Sequence, residues 1–471
     1  MMTPDERPKA AEPKRPTLSL CMIVRDEAAM LAACLESAAG LADEIIVVDT
    51  GSEDETPEIA RSYGARVIRF AWRDDFSAAR NASLDAATGD WILWLDADER
   101  LREAEHNRVR SLISSGAHDA YLVPILSPKP NGPQVTRGHR LFRNGRRVRF
   151  AGRIHEQIGP SLDRAGYRIG AADIAIDHLG YNLPAEKQRD KNARNLRLLE
   201  LARDESPRNA YVRFTLAQCY MAENRNSDAE RELKVALGEC DGMRVDKPLP
   251  RDIRASAQSN LASIALKRGA HVEALRRTAE SRHILPEQVM AHVVAYQAHR
   301  ALGDDAEALD DLRAAARFVE TPPRHGGAAI EPTLDRAGLE RRIADCCLRL
   351  GRTAAARETL ERILAAKPDE PAALAMLARC ALAEGKPDKA WTWVDRACTV
   401  GPEDESLLDL AAFVLLKQGR FGEAADRLAR LCARRSDDLG LRRRLAGVLM
   451  KAGKTREAAD VMASLQASVS A

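Results

Sequence analysis

Two hydrophobic patterns divide the chain. Between Leu18 and about Leu126, short unbroken apolar runs alternate with segments of helical period. LSLCMIV (18 to 24), EIIVVD (44 to 49), ARVIRF (65 to 70) and WILWL (91 to 95) read as strands. Three helices fall between them: AAMLAACLESAAG closed by Gly40, a segment opening with Thr56 as N-cap before Pro57 and ending at Gly64, and FSAARNASLDAATG ending at Gly89. Continuous apolar strands joined by helices predict a mostly parallel sheet covered on both faces. Ligands of such sheets bind beyond the carboxyl ends of the strands. Those ends are polar here: Arg25-Asp26-Glu27, Asp49-Thr50-Gly51-Ser52 and Asp96-Ala97-Asp98-Glu99.

From about residue 205 the pattern becomes helical with a fixed period. Gly351, Gly385, Gly419 and Gly453 are 34 residues apart, as are Ala356, Ala390, Ala424 and Ala458. A second set, Ala344, Ala378, Ala412 and Ala446, precedes the marker alanines by 12 residues, and Pro368 and Pro402 follow two of them by the same interval. The frame extends back to Ala217, Tyr220 and Ala229, to Ala262, Ala274 and Pro286, and to Gly303 and Ala308. This resembles the tetratricopeptide repeat, which implies paired antiparallel helices with small residues where they touch. About seven units are expected, with interruptions near 238 to 252 and 320 to 335. A helix from Ala185 to Arg203 ends before Pro207, out of frame with the first unit, and reads as a half-repeat docking the solenoid onto the sheet. The join has no Gly/Ser-rich linker, so a rigid connection is expected. The domains expected are a disordered 1–16, a sheet domain at 17–184, a docking helix at 185–207 and a solenoid at 208–467.

With 471 residues the chain exceeds one ordinary core, consistent with two domains. A net charge of +2 with acids and bases interspersed gives no reason to expect a nucleic-acid partner. Nine cysteines without a Cys-x-x-Cys pair, most within alanine/leucine-rich helical patterns, read as reduced core thiols. The first 16 residues lack the apolar stretch of a signal peptide, and no run approaches membrane-spanning length. A soluble cytoplasmic protein is expected.

The chemistry gathers at the strand ends. If Asp96-Ala97-Asp98 is extended, residues i and i+2 point to one side and both carboxylates share one space, an oxygen donor set that suits Mg²⁺ or Mn²⁺. Strand termination and capping is the plain alternative for aspartates in this place. Asp49 ends the second strand in the same manner, and the TGSEDET loop after it supplies hydroxyls and amides. Arg80-Asn81, on the helix leading into the fourth strand, brings a cation to face a diphosphate. Arg25, Glu27, Asp49, Ser52, Arg80, Asn81 and Asp96 are the candidate ligand contacts at these strand ends; that the ligand is a nucleotide is what the resemblance below implies.

VVDTGSEDET followed by AARNASLDAATGDWILWLDADE resembles the nucleotide-binding half of family 2 glycosyltransferases, with the GT-A fold, over residues 17 to about 185. The resemblance implies that Asp49 contacts the nucleobase, Asp96 lies near the ribose, and Asp98 ligates the metal holding the sugar-nucleotide diphosphate. No G-x-G-x-x-G or Walker lysine is present, which removes the main support for a dinucleotide or ATP site. GHRLFRNGRRVRFAGRIHEQI (138 to 158) and IAIDHLGY (174 to 181) resemble a branch of this family that includes bacterial lipopolysaccharide-core and peptide-modifying transferases, often with a tetratricopeptide tail.

Displacement at an anomeric carbon needs a base for the acceptor proton and a counter-charge for the departing diphosphate. Glu156 is the candidate base and His155 its neighbour; on a strand the two would point to opposite sides, leaving one to face the sugar. His178 is a candidate metal ligand, with a hydrogen-bonded structural histidine as the alternative. Of the basic run Arg137, Arg140, Arg143, Arg146, Arg147, Arg149 and Arg153, most are expected to face solvent and one or two to meet a diphosphate or anionic acceptor. The expectation is a metal-dependent, inverting hexosyltransferase that moves a sugar from a UDP-sugar or related donor to a protein, peptide or cell-envelope glycan presented by the repeats. The main rival is a repeat scaffold with a degenerate, inactive transferase domain. A nucleotidyltransferase would want a glycine-rich basic first loop, where Arg25-Asp26-Glu27 stands instead.

Overall fold

The computed structural model describes residues 15–128, 134–180, 185–241, 248–319 and 336–470. The expected interruption at 320 to 335, and all but the last two residues of the expected disordered start, lie outside them. By contacts the chain forms two compact units, one holding the sheet and the helices to Ile264, the other holding most of the chain from Ala265 on.

The first unit begins β1 (Leu18–Val24), α1 (Ala28–Ser37), β2 (Glu44–Asp49), α2 (Thr56–Ser62), β3 (Arg66–Arg69), α3 (Phe76–Ala86), β4 (Trp91–Trp94) and β5 (Glu99–Leu101). It continues with α4 (His106–Ser115), β6 (Ala120–Ser127), β7 (Gln134–Arg143), α5 (Gly159–Arg164), β8 (Ile169–Ala171) and β9 (Ile176–His178). The sheet has nine strands in the order β3-β2-β1-β4-β7-β6-β9-β5, with β8 beside β6. β1 to β4 pair in parallel as the apolar runs predict, and β7 then enters antiparallel to both β4 and β6. Period-two alternation divides the core. Leu18, Leu20, Met22, Trp91, Leu93 and Leu95 pack on one face with α1 and α4, while Cys21, Ile46, Ile92 and Phe142 pack on the other. Burying each such leucine or isoleucine contributes roughly 1.5–3 kcal/mol.

Two local expectations shift. Helix α2 starts at Thr56 itself, with Glu55 in the cap position and the Asp54 carboxylate accepting from the Thr56 amide at 3.0 Å. Gly89 lies three residues beyond α3, where its amide donates to Ser19 Oγ at 2.9 Å; a β-carbon there would come within 2.9 Å of the Ser19 backbone nitrogen.

Helix α6 (Ala185–Glu205) leads into α7 (Ala210–Ala222), α8 (Asn226–Asp241) and α9 (Pro248–Lys267). Leu196 and Leu199 of α6 join a core with Phe214, Leu216 and Tyr220 of α7, and Ile154 of the sheet domain packs onto the same cluster. Arg197 donates to both Asp74 oxygens at 2.5 and 2.9 Å, and Arg153 forms an ion pair with Glu205. Side-chain packing and two ion pairs therefore fasten α6 to the sheet domain.

The second unit continues the helices as α10 (His271–Ile284), α11 (Val289–Leu302), α12 (Asp305–Phe318), α13 (Arg336–Arg349), α14 (Thr353–Ala366), α15 (Pro371–Ala383), α16 (Pro387–Val400), α17 (Glu405–Lys417), α18 (Phe421–Arg434), α19 (Leu439–Lys451) and α20 (Thr455–Ser470). Among the described helices, α7 packs with α8, α11 with α12, α13 with α14, α15 with α16, α17 with α18 and α19 with α20. The marker glycines occupy the turn inside each pair, with φ of 68° to 76° at Gly351, Gly385, Gly419 and Gly453, a left-handed conformation that glycine adopts at little cost. Both alanine series are buried, because only a methyl group fits between the paired helices. Among the described residues, no helix is long and apolar enough to cross a membrane.

Candidate active site at the carboxyl ends of the strands

The carboxyl ends of β1, β2 and β4 bring the expected acids to one edge of the sheet. Asp49, at the end of β2, is 3% exposed, and its Oδ1 accepts from the amides of Gly51 (3.3 Å) and Ser52 (2.9 Å), which folds the following loop over it. Ser52 Oγ accepts from the Asp26 amide at 3.0 Å, and the Glu53 amide donates to Asp26 Oδ1 at 2.8 Å, tying the first loop to the second. Asp26 takes a left-handed φ of 53° at this crossing. Arg25 is exposed and lies 3.5 Å from Asp26.

Asp96-Ala97-Asp98 is not extended. The chain turns at residues 97 and 98, and the Glu99 amide donates back to the Asp96 carbonyl at 3.0 Å. The two carboxylates consequently meet different partners. Asp96 Oδ1 accepts from Arg80 Nη2 at 2.9 Å, and its other oxygen lies 3.7 Å from Arg140. Asp98 Oδ2 lies 3.2 Å from His178 Nε2, and His178 Nδ1 is 3.1 Å from Ser127 Oγ. β5 pairs Glu99 with His178 on β9, and the Leu179 amide donates to the Asp98 carbonyl at 2.9 Å, so β9 closes over the turn. A β-carbon at Gly180 would overlap the Asp98 carboxylate.

Beneath the turn lies a buried ionic core. Arg80, one turn beyond Phe76 on α3, binds Asp96 with one arm and Glu156 through its Nε. Arg140 binds Glu99 at 2.5 Å, and Arg80 and Arg140 lie over the Trp94 ring, 4.1 and 3.3 Å from its centroid. Two further donors of Arg140, Nε and Nη1, are buried without a hydrogen-bond partner. Burial and the charges of Asp98, Asp96 and Asp54 raise Glu27 to about 7. Asp96 behaves oppositely: despite burial, Arg80 and Arg140 hold it below the usual carboxylate range. The hydrogen bond from His178 to Asp98, opposed by burial and joined by nearby carboxylate charge, raises His178 above the ordinary imidazole value.

His155 and Glu156 do not lie on a strand. β7 ends at Arg143 and residues 152 to 155 form bends, so strand alternation does not govern them. His155 takes a φ of 51° and is exposed, while the Glu156 side chain turns inward onto Arg80, 10% exposed. Asn81 is absorbed by the fold: its amide nitrogen donates to the Phe150 carbonyl at 3.0 Å and its oxygen accepts from the Phe150 amide at 2.9 Å. The structure thus gathers Glu27, Asp96, Asp98, His178, Arg80 and Glu156, and sets Asn81 and His155 aside. Of the basic run, only Arg140 is buried; Arg143, Arg149 and Arg153 pair with Asp119, Asp85 and Glu205.

Sequence reasoning named Glu99 only as part of a polar strand end and Arg140 only as one of the basic run, and missed two cations from α6. Lys191 lies close enough to Glu27 for its charge to oppose the raising of that carboxyl. Arg194 sits 5.3 Å from the Phe76 centroid, and burial together with the charge of Arg25 lowers it. Neither has a carboxylate partner among the described residues. The only available signal was their three-residue spacing on one helix, which also describes an ordinary solvated face.

A mixed sheet whose parallel strands end in aspartates beside an imidazole and guanidinium groups defines an α/β domain with a charged edge, here followed by helical repeats. Residues 19–173 match the glycosyl transferase family 2 model, and tetratricopeptide repeat models match 189–239, 345–405 and 411–470. The chain joins a family 2 glycosyltransferase domain to tetratricopeptide repeats. A TPR repeat-containing protein of Synechococcus elongatus is 38% identical over 260 residues, 54% of this chain and 62% of that protein. The SPbeta prophage-derived glycosyltransferase SunS of Bacillus subtilis is 28% identical over 190 residues, 39% of this chain and 44% of SunS. The chain therefore spans less than two thirds of either relative. Among solved structures, MamA from Desulfovibrio magneticus RS-1 aligns with a TM-score of 0.33 at 20% identity, covering 39% of this chain and 97% of that one.

Proposed function

We propose that this protein transfers a sugar, with inversion, from a nucleotide-sugar donor, a UDP-sugar, to a protein, peptide or cell-envelope glycan acceptor, with Mn²⁺ or Mg²⁺ held at Asp98 and His178. The observation that carries the reading is the junction of Asp98 with His178 beside Asp96 and Glu27 at the carboxyl edge of a parallel sheet. The donor set fits a divalent cation. It offers one carboxylate and one imidazole; burial and, after it, the charges of Asp98, Asp96 and Asp54 raise the neighbouring Glu27, and a cation would offset the second of these. Among the described residues no group of three or more His, Cys, Asp and Glu surrounds one point. A bound ion would neutralise the diphosphate as it departs.

The chain's own residues supply the rest. Asp49 at the floor of the second loop is placed to accept from a nucleobase, and Arg25, Lys191 and Arg194 offer positive charge to the diphosphate. Glu156 is the proton acceptor for the incoming nucleophile, held in position by Arg80, which also fixes Asp96. The test is a thermal-shift panel of UDP-sugars and other nucleotide-sugars with and without Mn²⁺. A cognate donor at about 100 times its dissociation constant stabilises by roughly 2.7 kcal/mol. Asp98→Ala should abolish the Mn²⁺-dependent part of the shift; an unchanged shift in Asp98→Ala, or in EDTA, overturns the metal site. A wild-type chain that no nucleotide-sugar stabilises supports the inactive scaffold instead.

A further inference from the structure

One strand of the sheet ends its buried row on a hydroxyl. Along β6 the side chains of Tyr121, Val123, Ile125 and Ser127 are buried and those between them partly exposed. Ser127, 2% exposed, therefore takes a place where the alternation calls for an apolar group. A buried hydroxyl costs free energy unless it finds a partner. Among the described residues it has one: Ser127 Oγ lies 3.1 Å from His178 Nδ1. The register makes this contact. β6 and β9 pair in parallel with Leu126 beside Asp177, which brings the next residues of the two strands, Ser127 and His178, together. β5 pairs Glu99 with His178 from the other side. The imidazole is thus held between a hydroxyl at Nδ1 and the Asp98 carboxylate, 3.2 Å from Nε2.

Serine, histidine and aspartate in this order also compose a hydrolytic triad, but Ser127 is closed from solvent and no substrate carbonyl can reach its oxygen. The contact acts on the histidine instead. A neutral imidazole carries one N–H. Paired with Asp98, the ring donates from Nε2, and Nδ1 accepts. With Nε2 given to a cation, the hydrogen stands on Nδ1, which then donates. A carboxylate or backbone carbonyl, the partner most often found behind a metal-bound histidine, only accepts and so holds the ring in the second state. A hydroxyl does both. The Ser127 Oγ–H serves the first state and its lone pairs serve the second, and 3.1 Å suits either direction of the bond.

We propose that Ser127 is a positioning residue that lets His178 exchange its hydrogen between Nε2 and Nδ1, so that the ring passes from Asp98 to a divalent cation while keeping its hydrogen bond to β6. The inference rests on the metal reading of Asp98 and His178 above. The exchange is balanced: Nε2 releases a proton to water, Nδ1 takes one from water, the ring stays neutral and the hydroxyl rotates. The bond to Ser127 matters more in the second state. A cation on Nε2 polarises the Nδ1–H, and an acceptor behind it raises the basicity of the ligating nitrogen. Removing the hydroxyl therefore weakens the held cation more than it disturbs the pair with Asp98.

The experiment has two measurements on the full chain. Mn²⁺ affinity is read from the electron paramagnetic resonance of the free ion. Ser127→Ala should weaken Mn²⁺ by about 10- to 100-fold with a metal-free melting temperature close to wild type, and Ser127→Thr, which keeps the hydroxyl, should stay within about threefold of wild type. A merely structural serine gives the opposite split, a lowered melting temperature with unchanged Mn²⁺ affinity, and overturns the proposal. A Ser127→Thr chain as weak as Ser127→Ala overturns it too. The position of the hydrogen is read by ¹⁵N NMR of histidine-labelled wild type at about pH 8.5, above the ordinary imidazole range, with Zn²⁺ as a diamagnetic stand-in and His178→Asn identifying the signal. The hydrogen should stand on Nε2 without metal and on Nδ1 with it; any other pair of states, with Zn²⁺ held at His178, overturns the exchange. A wild-type chain that holds no Mn²⁺ removes the metal reading and this inference with it, whereas normal wild-type affinity matched by Ser127→Ala removes the inference alone.

Discussion

Replacing Arg80 by methionine tests whether charge holds the site together. Its side chain is 8% exposed and joins Glu156, 10% exposed, to Asp96, 36% exposed. Removing the guanidinium leaves one carboxylate buried with no cation and a second half-relieved by solvent and by Arg140. Breaking a buried pair from one side costs about 3–5 kcal/mol, and the wetter Asp96 draws the figure to the low end. Losing the contact with Trp94 adds up to about 1 kcal/mol. The expected loss is about 3–4 kcal/mol, which lowers the melting temperature of a unit this size by roughly 6–15 °C. The pH dependence has a definite sign. Despite partial burial, Arg80 and Arg140 hold Asp96 below its ordinary value. A carboxylate depressed in the folded state contributes stability that is present above its unfolded value and lost as pH falls through the folded one. Wild type therefore forfeits this contribution only in acid. In Arg80→Met it is already gone at neutral pH, and protonation relieves the orphaned carboxylates, so the gap between the proteins narrows from about pH 8 toward about pH 4. The assay is a fluorescence melt in a Trp391→Phe/Trp393→Phe background, where Trp72, Trp91 and Trp94 of the sheet domain alone report. A loss under about 1 kcal/mol, or one of equal size at both ends of that range, refutes the reasoning.

Other perturbations separate the roles of neighbouring residues. Gly180→Ala drives a β-carbon into the Asp98 carboxylate and should abolish Mn²⁺-dependent stabilisation by donor in a thermal-shift assay while leaving the apo melting temperature within a few degrees of wild type; a normal Mn²⁺ response would show that Asp98 can move without consequence. Glu156→Gln keeps the shape and removes the proton acceptor, so single-turnover transfer should fall by about 10²- to 10⁴-fold with donor affinity nearly unchanged. Loss of donor binding with normal chemistry of bound donor would instead make Glu156 a binding residue and pass the candidacy for base to His155. Lys191→Ala and Arg194→Ala should each weaken UDP binding, measured calorimetrically, by about tenfold with a shallower salt dependence; wild-type affinity in the double variant would remove α6 from the donor site.

The fold was legible where a physical period was. Unbroken apolar runs between helices specify parallel strands, and a 34-residue spacing of glycine and alanine specifies the helix pairs, because left-handed turns admit glycine and close helix contacts admit only small side chains. The candidate site was legible in its place in the fold at Asp49, Asp96, Asp98 and His178, which lie at or just beyond strand ends. It was illegible where a side chain's direction depends on a turn. Extended geometry would have aimed Asp96 and Asp98 alike, but the turn at residues 97 and 98 sends one to Arg80 and the other to His178. Arg140 is a sharper case. Its neighbours Leu141 and Phe142 are both buried because the sheet is covered on two faces, so alternation could not tell which arginine of the basic run points inward.

The functional boundary also differs from the boundary of sequence similarity. The family 2 match ends at residue 173, yet the imidazole beside Asp98, the glycine that gives that carboxylate room, and the two cations nearest Glu27 and Arg25 all follow it, at His178, Gly180, Lys191 and Arg194. Ion pairs from Asp74 and Glu205 and the packing of Ile154 fix α6 in place, and these contacts use residues on both sides of that limit. A chain cut at 180 would keep every carboxylate of the candidate site and its partners Arg80 and Arg140 but lose Lys191 and Arg194, leaving Glu27 with less to offset its neighbours' charge. The first helix ahead of the repeats is accordingly a wall of the candidate donor site, and the fusion of helices to sheet is a property of that site as well as of the chain's architecture.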